Sequence, residues 1–299
     1  MIVMRRRVRQ TRIVKERSHL PDATLIARRY ENWRQTPERR ISGPDEAVGL
    51  IERVGIATLF PASPEIPNLF HAFLGDPDAR TDSGHDSPSG EVYSWRWALG
   101  RRGAAFYTAI VRNRPTWVSW PLLPAVLRLR GELRTPDDLY AVGELTLDAF
   151  RIAQALESAG GVLSTGELRK AAGFPIGKAQ RAAYLKAVEE LDTRLLLAKV
   201  FSADDNDMHH ALVRVRYPEQ VAAAERLTRE AALAQVLETY LPHAVYAAPA
   251  ALAKHLRIPE AELRAGLERL VAAHRAATVA FTGEKGAAYV WADEHDSPT

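Results

Sequence analysis

Four of the six tryptophans, Trp95, Trp97, Trp117 and Trp120, fall within one 26-residue stretch that also carries Arg101, Arg102, Arg112 and Arg114. Two kinds of chemistry fit this mixture. An indole face can stack an unpaired base, worth ~1–3 kcal/mol per base. A guanidinium fork matches the oxygens of a phosphate. The competing role for large aromatics is core packing. The alternation Tyr93-x-Trp95-x-Trp97 predicts a strand with all three rings on one face, which favours the core. The arginines are then the stronger binding candidates. A helix over 101–112 is expected between two extended pieces, with Pro121 and Pro124 bracketing the next helix. Glu65, Asp76, Asp78 and Glu91 are expected to be solvated loop carboxylates, since none has a partner at fixed spacing. His209 and His210 lack a third ligand at zinc spacing apart from neighbouring aspartates, so no metal is expected.

The N-terminus adds charge. Residues 1–40 hold twelve Lys/Arg, including Arg5, Arg6 and Arg7, against four acids. That segment is therefore net +8 while the whole chain is +3. A basic arm on a mildly acidic body suits a phosphate backbone, or else serves as a solubilising tail. The chain has no Cys, which excludes disulfides and thiolate metal sites and suits a reducing cytoplasm. No apolar run is long enough for a membrane span, and no secretory segment is expected. No cofactor is expected.

These residues must be positioned by elements that the pattern indicates. Residues 1–20 read as a flexible arm and residues 294–299 as a polar tail. Leu25, Ile26, Tyr30 and Trp33 predict a helix, as do Val48, Leu50, Ile51 and Val54, which Gly55 ends. IATLF (56–60) predicts a short buried strand. Residues 75–91 read as a loop, functional or disordered at that length. TPDDLYAVGEL (135–145) reads as a linker.

Residues 146–217 then predict a winged helix, meaning three helices and a hairpin in that order. The helices are 146–159, a second capped by Ser164 with Glu167 three residues on, and 178–192. LLLAKVFS and HALVRVRY are the expected strands. The third helix carries Lys178 and Arg181 near its start. The turn with Asp204, Asp205 and Asp207 would be repelled by phosphate, so that wing should face away from a nucleic acid. Residues 228–292 repeat the order, with TGEKG as a second wing. The expected fold is therefore α+β, mostly α. Its modules are an N-terminal winged-helix-like domain (21–140) with an aromatic-rich insertion and winged helices at 144–218 and 226–293, around a concave surface.

This arrangement resembles the AlkZ/YcaQ-type winged-helix DNA glycosylases and their relatives across residues 22–292. The residues that carry the resemblance are Arg53-Val54-Gly55-Ile56-Ala57-Thr58-Leu59-Phe60, the modules that follow, and FYTAIVRNRPTWVS. The resemblance implies duplex DNA as partner and excision of alkylated bases or unhooking of crosslinks as the family's chemistry. That chemistry sits in a Gln-apolar-Gln or Gln-apolar-Asp triplet directly after the turn. A polar group there positions or activates a water while positive charge develops at C1′. In this chain Thr58-Leu59-Phe60 takes the triplet's place. Thr58 could still hold a water, and Phe60 occupies the position of the acid or amide.

The expectation is a DNA-binding protein of repair or damage response without the usual catalytic pair. Nucleic acid would be held by Arg5, Arg6, Arg7, Arg101, Arg102, Arg112, Arg114, Lys178 and Arg181, with Trp95, Trp97, Trp117 and Trp120 as stacking candidates. An active glycosylase using another residue and a protein-interaction scaffold are the alternatives. A nucleoid-associated monomer in the cytoplasm is expected, with no membrane partner.

Overall fold

A computed structural model describes residues 22–174, 177–280 and 287–292. Arg5, Arg6, Arg7 and the rest of the basic arm lie outside the described residues, as do the TGEKG turn and the tail.

Helix α1 (Asp22–Asn32) leads to α2 (Pro44–Val54), where Ala47, Leu50, Ile51 and Val54 form the buried stripe. Gly55 ends α2 at φ 76°, and a side chain there would meet Leu122 and Thr239 at 2.7 Å. The chain turns at once into β1 (Ile56–Thr58), then α3 (Leu69–Leu74) and α4 (Pro88–Arg101). The hairpin of β2 (Phe106–Val111) and β3 (Arg114–Val118) closes this unit. Its sheet runs β1-β3-β2, all antiparallel, with Thr116 of β3 facing Thr58 on one side and Thr108 on the other.

Here the structure corrects the sequence reading. Tyr93, Trp95 and Trp97 lie on a helix, not a strand. Ser87 caps that helix by accepting from the Gly90 N–H, and Pro88 opens it. Val92, Trp95 and Leu99 are buried at helical spacing, so tertiary burial overrides the β preference of the aromatics. The expected helix over 101–112 is instead mostly β2. Arg112 and Asn113 both have positive φ (51° and 57°), the conformation of a tight hairpin turn. Pro115 sits in the central strand, where the ladder lacks its N–H, and the register shifts opposite it between Thr108 and Val111.

Helices α5 (Leu123–Arg130) and α6 (Pro136–Ala141) follow. The second lies within the expected linker; Thr135 and Asp138 form a reciprocal capping box that starts it. A second unit repeats the first: α7 (Leu147–Ser158), β4 (Leu163–Ser164), α8 (Thr165–Ala171), α9 (Lys178–Thr193), β5 (Leu197–Phe201) and β6 (Met208–Leu212). The Ser164/Glu167 capping box is present on α8. The expected strand HALVRVRY stops at Leu212, and α10 (Val213–Arg216) and α11 (Pro218–Arg226) connect onward. The third unit is α12 (Arg229–Ala244), β7 (Tyr246–Ala247), α13 (Pro249–Leu256), α14 (Glu260–Ala272), β8 (Ala276–Val279) and β9 (Ala288–Trp291).

All three units therefore share one order: helix, short strand, two helices, hairpin. In each sheet the last strand lies in the middle: β1-β3-β2, β4-β6-β5 and β7-β9-β8. The burial is shared unequally. Residues of the first and third units, with α5 between, make one core that includes Trp95, Trp117, Leu123, Leu237 and Leu267. The middle unit has its own, built on Ile152, Leu156, Leu168, Tyr184 and Leu191. Phe201 at the end of β5 bridges to the first, packing against Trp97, Tyr107 and Trp117. Gly100 of α4 lies against the Phe201 ring, a closeness that leaves no room for a side chain. Among the described residues no helix is long and apolar enough to cross a membrane.

Candidate functional site

Just past β1 the chain opens into a cleft of about 770 Å³. Leu59, Phe60, Pro61 and Pro115 form its apolar wall, and Arg80, Asp82, Tyr93 and Arg114 bring polar groups to it. Two devices hold the loop that carries Arg80 and Asp82. Asn68 caps α3 by accepting from the His71 N–H at 2.8 Å, and its amide donates to His71 Nδ1 at 3.1 Å. That leaves Nε2–H to donate to the Ala79 carbonyl at 3.1 Å. Burial pushes the His71 pKa below its ordinary value, so the ring stays neutral and keeps this tautomer. On the other side the Asp82 N–H donates to the hydroxyl of buried Ser89 at 3.0 Å.

Tyr93 is half exposed at the cleft edge. Arg96 lies over its ring, 4.1 Å from the centroid, and donates to its hydroxyl at 2.7 Å. The ring is thus an aromatic face backed by a cation. Arg114 is exposed, with no side-chain partner among the described residues. An apolar wall, one exposed aromatic face, two arginines and one carboxylate can take a flat aromatic group bearing a nearby anion.

Sequence reasoning placed Phe60 and Arg114 near chemistry, and both line this cleft. It missed Arg80, Asp82 and Tyr93. The available signal was the long loop expected over 75–91; it brings Arg80 and Asp82 to the site, but its last four residues, including Glu91, expected in a loop, form the first turn of α4 instead. Thr58 does not line the cleft. It is fully buried, its N–H donates to the Pro67 carbonyl at 2.9 Å, and its hydroxyl points to the same oxygen at 3.5 Å. Phe60 packs on Phe70 with ring centroids 5.9 Å apart.

Two of the four candidate tryptophans, Trp95 and Trp117, lie within the core. Trp95 is buried edge-on against Phe73, and its indole N–H donates to Glu91 at 2.8 Å. Trp117 is wholly buried between Tyr107 and Phe201. Trp97 and Trp120 are half buried; Trp97 meets Phe201, and Trp120 meets Phe106 and Tyr217 while donating to the Gly103 carbonyl. Of the four arginines beside them, two are held by several bonds or an ion pair and a third makes a single bond. Arg101 donates to Ser202, Asp205 and Asn206, pinning the acidic β5–β6 turn. Arg102 pairs with Asp45. Arg112 donates to the Ala62 carbonyl at 3.1 Å.

Lys178 and Arg181 lie in the first turn of α9, both exposed and without an ion-pair partner among the described residues. His209 pairs with Asp205 at 3.2 Å. His210 is buried against the Thr165 hydroxyl, and desolvation, with smaller contributions from Lys199 and His209, drives its pKa down to about 4. Among the described residues no group of three His, Asp or Glu side chains is placed to hold a metal. Glu65, expected in a solvated loop, is instead buried in an ion pair with Arg29 at 3.3 Å.

These features define a mixed α/β protein, largely helical, with small antiparallel sheets in three repeated units and an open cleft after the first strand. The family described as AlkZ related matches residues 41–257, and the chain belongs to that family. No curated protein matches it in sequence. Among solved structures it is similar to the DNA glycosylase AlkZ of Streptomyces sahachiroi. The TM-score is 0.51 at 15% identity, covering 89% of this chain and 69% of that one, which shows a common fold.

Proposed function

We propose that the chain holds duplex DNA in a repair context and does so as three winged helices, at about 21–140, 144–218 and 226–293, around a concave surface. The helix–strand–helix–helix–hairpin order in each unit supports the winged-helix reading. The observation that carries DNA binding is the exposed, unpaired state of Lys178 and Arg181 at the start of α9, the last helix of the middle helix-turn-helix. Unpaired cations at that position suit phosphates flanking the groove. Thr58 is buried and Phe60 presents a hydrocarbon ring, so this reading assigns no base removal to the family's triplet position.

The test is fluorescence anisotropy of a labelled duplex at several salt concentrations. Lys178→Ala with Arg181→Ala should weaken binding across sequences and reduce the salt slope by about 2, roughly one per lost phosphate contact. Unchanged affinity and slope remove α9 from the interface.

One observation favours a second reading, an active glycosylase: Asp82 shares the cleft with Phe60. A carboxylate there could accept a proton from the attacking water as the bond between C1′ and the base nitrogen breaks. Alkylated duplex treated with the protein and then with alkali would show strand breaks, abolished in Asp82→Asn. Intact strands with the wild-type chain retain the binding-only reading.

A further inference from the structure

A second concavity lies away from the cleft and shares no residue with it. It opens between the end of α1, the turn that follows, the last turn of α2 and the last turn of α12. Its volume is about 310 Å³, and Arg34, Arg39, Arg53 and His243 line it together with Glu31 and Asn32. At ~30 Å³ per water in the liquid, a tetrahedral oxyanion fits with room for ordered water.

The charges are unbalanced. Three guanidiniums line it with one carboxylate, Glu31; Glu46 acts on Arg34 electrostatically from outside the lining, and none of the three makes an ion pair within 4 Å among the described residues. Arg34 spends one donor on the Arg39 carbonyl at 3.1 Å, and Arg53 spends one on the Asn32 carbonyl at 3.0 Å. Each guanidinium has five N–H groups, so most donors are uncommitted. Desolvation lowers the Arg53 pKa, and the nearby positive charge of Arg34 adds to it. Burial, then Arg53, lowers that of His243, which leaves a neutral imidazole able to donate or accept. Gathering like charges in a concave, partly desolvated place is unfavourable until an anion arrives.

The backbone carries the same sign of purpose. Arg34 has φ 61° and closes α1: its N–H donates to the Glu31 carbonyl and that of Gln35 to the Tyr30 carbonyl. This left-handed position is where glycine ends helices without strain. The attraction of α1's terminal carbonyls for a cation accounts for the Arg53 bond. It does not account for Arg39, which is exposed and bonds to none of them.

We propose that the Arg34–Arg39–Arg53 pocket binds a phosphate group. The group comes either from a nucleic-acid backbone or from a free phosphate compound, and the experiment separates the two. Inorganic phosphate is titrated into the full chain by calorimetry, and a labelled blunt duplex is titrated by anisotropy. Both are repeated with Arg39→Gln, Arg34→Gly and the Lys178→Ala/Arg181→Ala control. Arg39 is exposed, so its variant folds, and Arg34→Gly relieves the left-handed strain, so its melting temperature should not fall.

The expected result is phosphate binding weakened about tenfold in both pocket variants, the scale of one lost charge-assisted hydrogen bond, and unchanged in the control. Duplex affinity that falls in parallel identifies the backbone as the source. Duplex affinity that holds identifies a free phosphate compound. Phosphate and duplex binding both indifferent to Arg39→Gln and Arg34→Gly would overturn the proposal and leave the arginines as helix caps. A wild-type chain that binds no duplex defeats the proposed function alone, because the phosphate titration still decides this pocket.

Discussion

Replacing Glu65 with alanine removes the one carboxylate from a buried knot that ties α1 to the third unit. The Arg29 side chain is 3% exposed and the Glu65 side chain 10%. Arg29 donates to Glu65 at 3.3 Å, to the Pro64 carbonyl at 3.3 Å, and to the carbonyls of Ala244 and Tyr246 across the unit boundary. Its guanidinium also covers the Tyr246 ring at 3.5 Å. The hydroxyl of Tyr240 donates to the Glu65 carbonyl at 2.9 Å, and burial raises its pKa well above the ordinary value, so it remains a neutral donor. Stripping one partner from a buried pair costs ~3–5 kcal/mol, because the other charge stays desolvated and uncompensated. Three carbonyl acceptors remain on Arg29, which places the expected loss at the low end, about 3 kcal/mol. Glu65→Gln keeps the shape and loses the charge, for about 1–2 kcal/mol.

Urea unfolding followed by circular dichroism measures these losses, and a double-mutant cycle with Arg29→Met should give a coupling of ~1–3 kcal/mol. If unfolding proceeds in two transitions, the one belonging to the core shared by the first and third units should shift. The middle core has no residue in the knot. A Glu65→Ala loss below about 1 kcal/mol would refute the reasoning, since a buried guanidinium would then tolerate the absence of its counter-charge.

Acid should expose His210. Its folded pKa of about 4 lies below the ordinary 6.5, so the unfolded chain takes up the proton first. Stability is then complete above pH ~6.5, declines between about 6.5 and 4 by up to roughly 3 kcal/mol, and levels off below. His210→Gln should flatten that limb of a stability-versus-pH curve. Gly100→Ala drives a methyl into the Phe201 ring and should cost about 1–3 kcal/mol by overpacking, read as a lower melting temperature. Ser87→Ala removes the cap of α4 and should cost about 1 kcal/mol. Fluorescence quenching by acrylamide, which sees exposed indoles, should be unaltered in that variant unless α4 itself unravels.

Much of the repeated architecture was legible before any coordinates. The helices at 44–54, 147–158, 165–171 and 178–193 announce themselves through apolar spacing, the Ser164/Glu167 box and the stop at Gly55. These signals act over one or two turns, within the reach of local chemistry.

The stretch from Tyr93 to Val118 was not. Its β-prone aromatics read as strand where α4 forms, because Ser87, Pro88 and the packing of Trp95 on Phe73 outweigh local preference. The partners of Arg101 lie about a hundred residues downstream, and Arg29 and Tyr240, the partners of Glu65, lie 36 residues before it and 175 after it. Spacing along a chain cannot report such encounters. The sequence by itself determined the Ser164 cap, the apolar periods and the three-helices-and-hairpin order of the second and third units. Tertiary packing alone decided which cations are consumed by carbonyls and carboxylates and which stay open to an anion, because pairing depends on distances that only the folded chain creates.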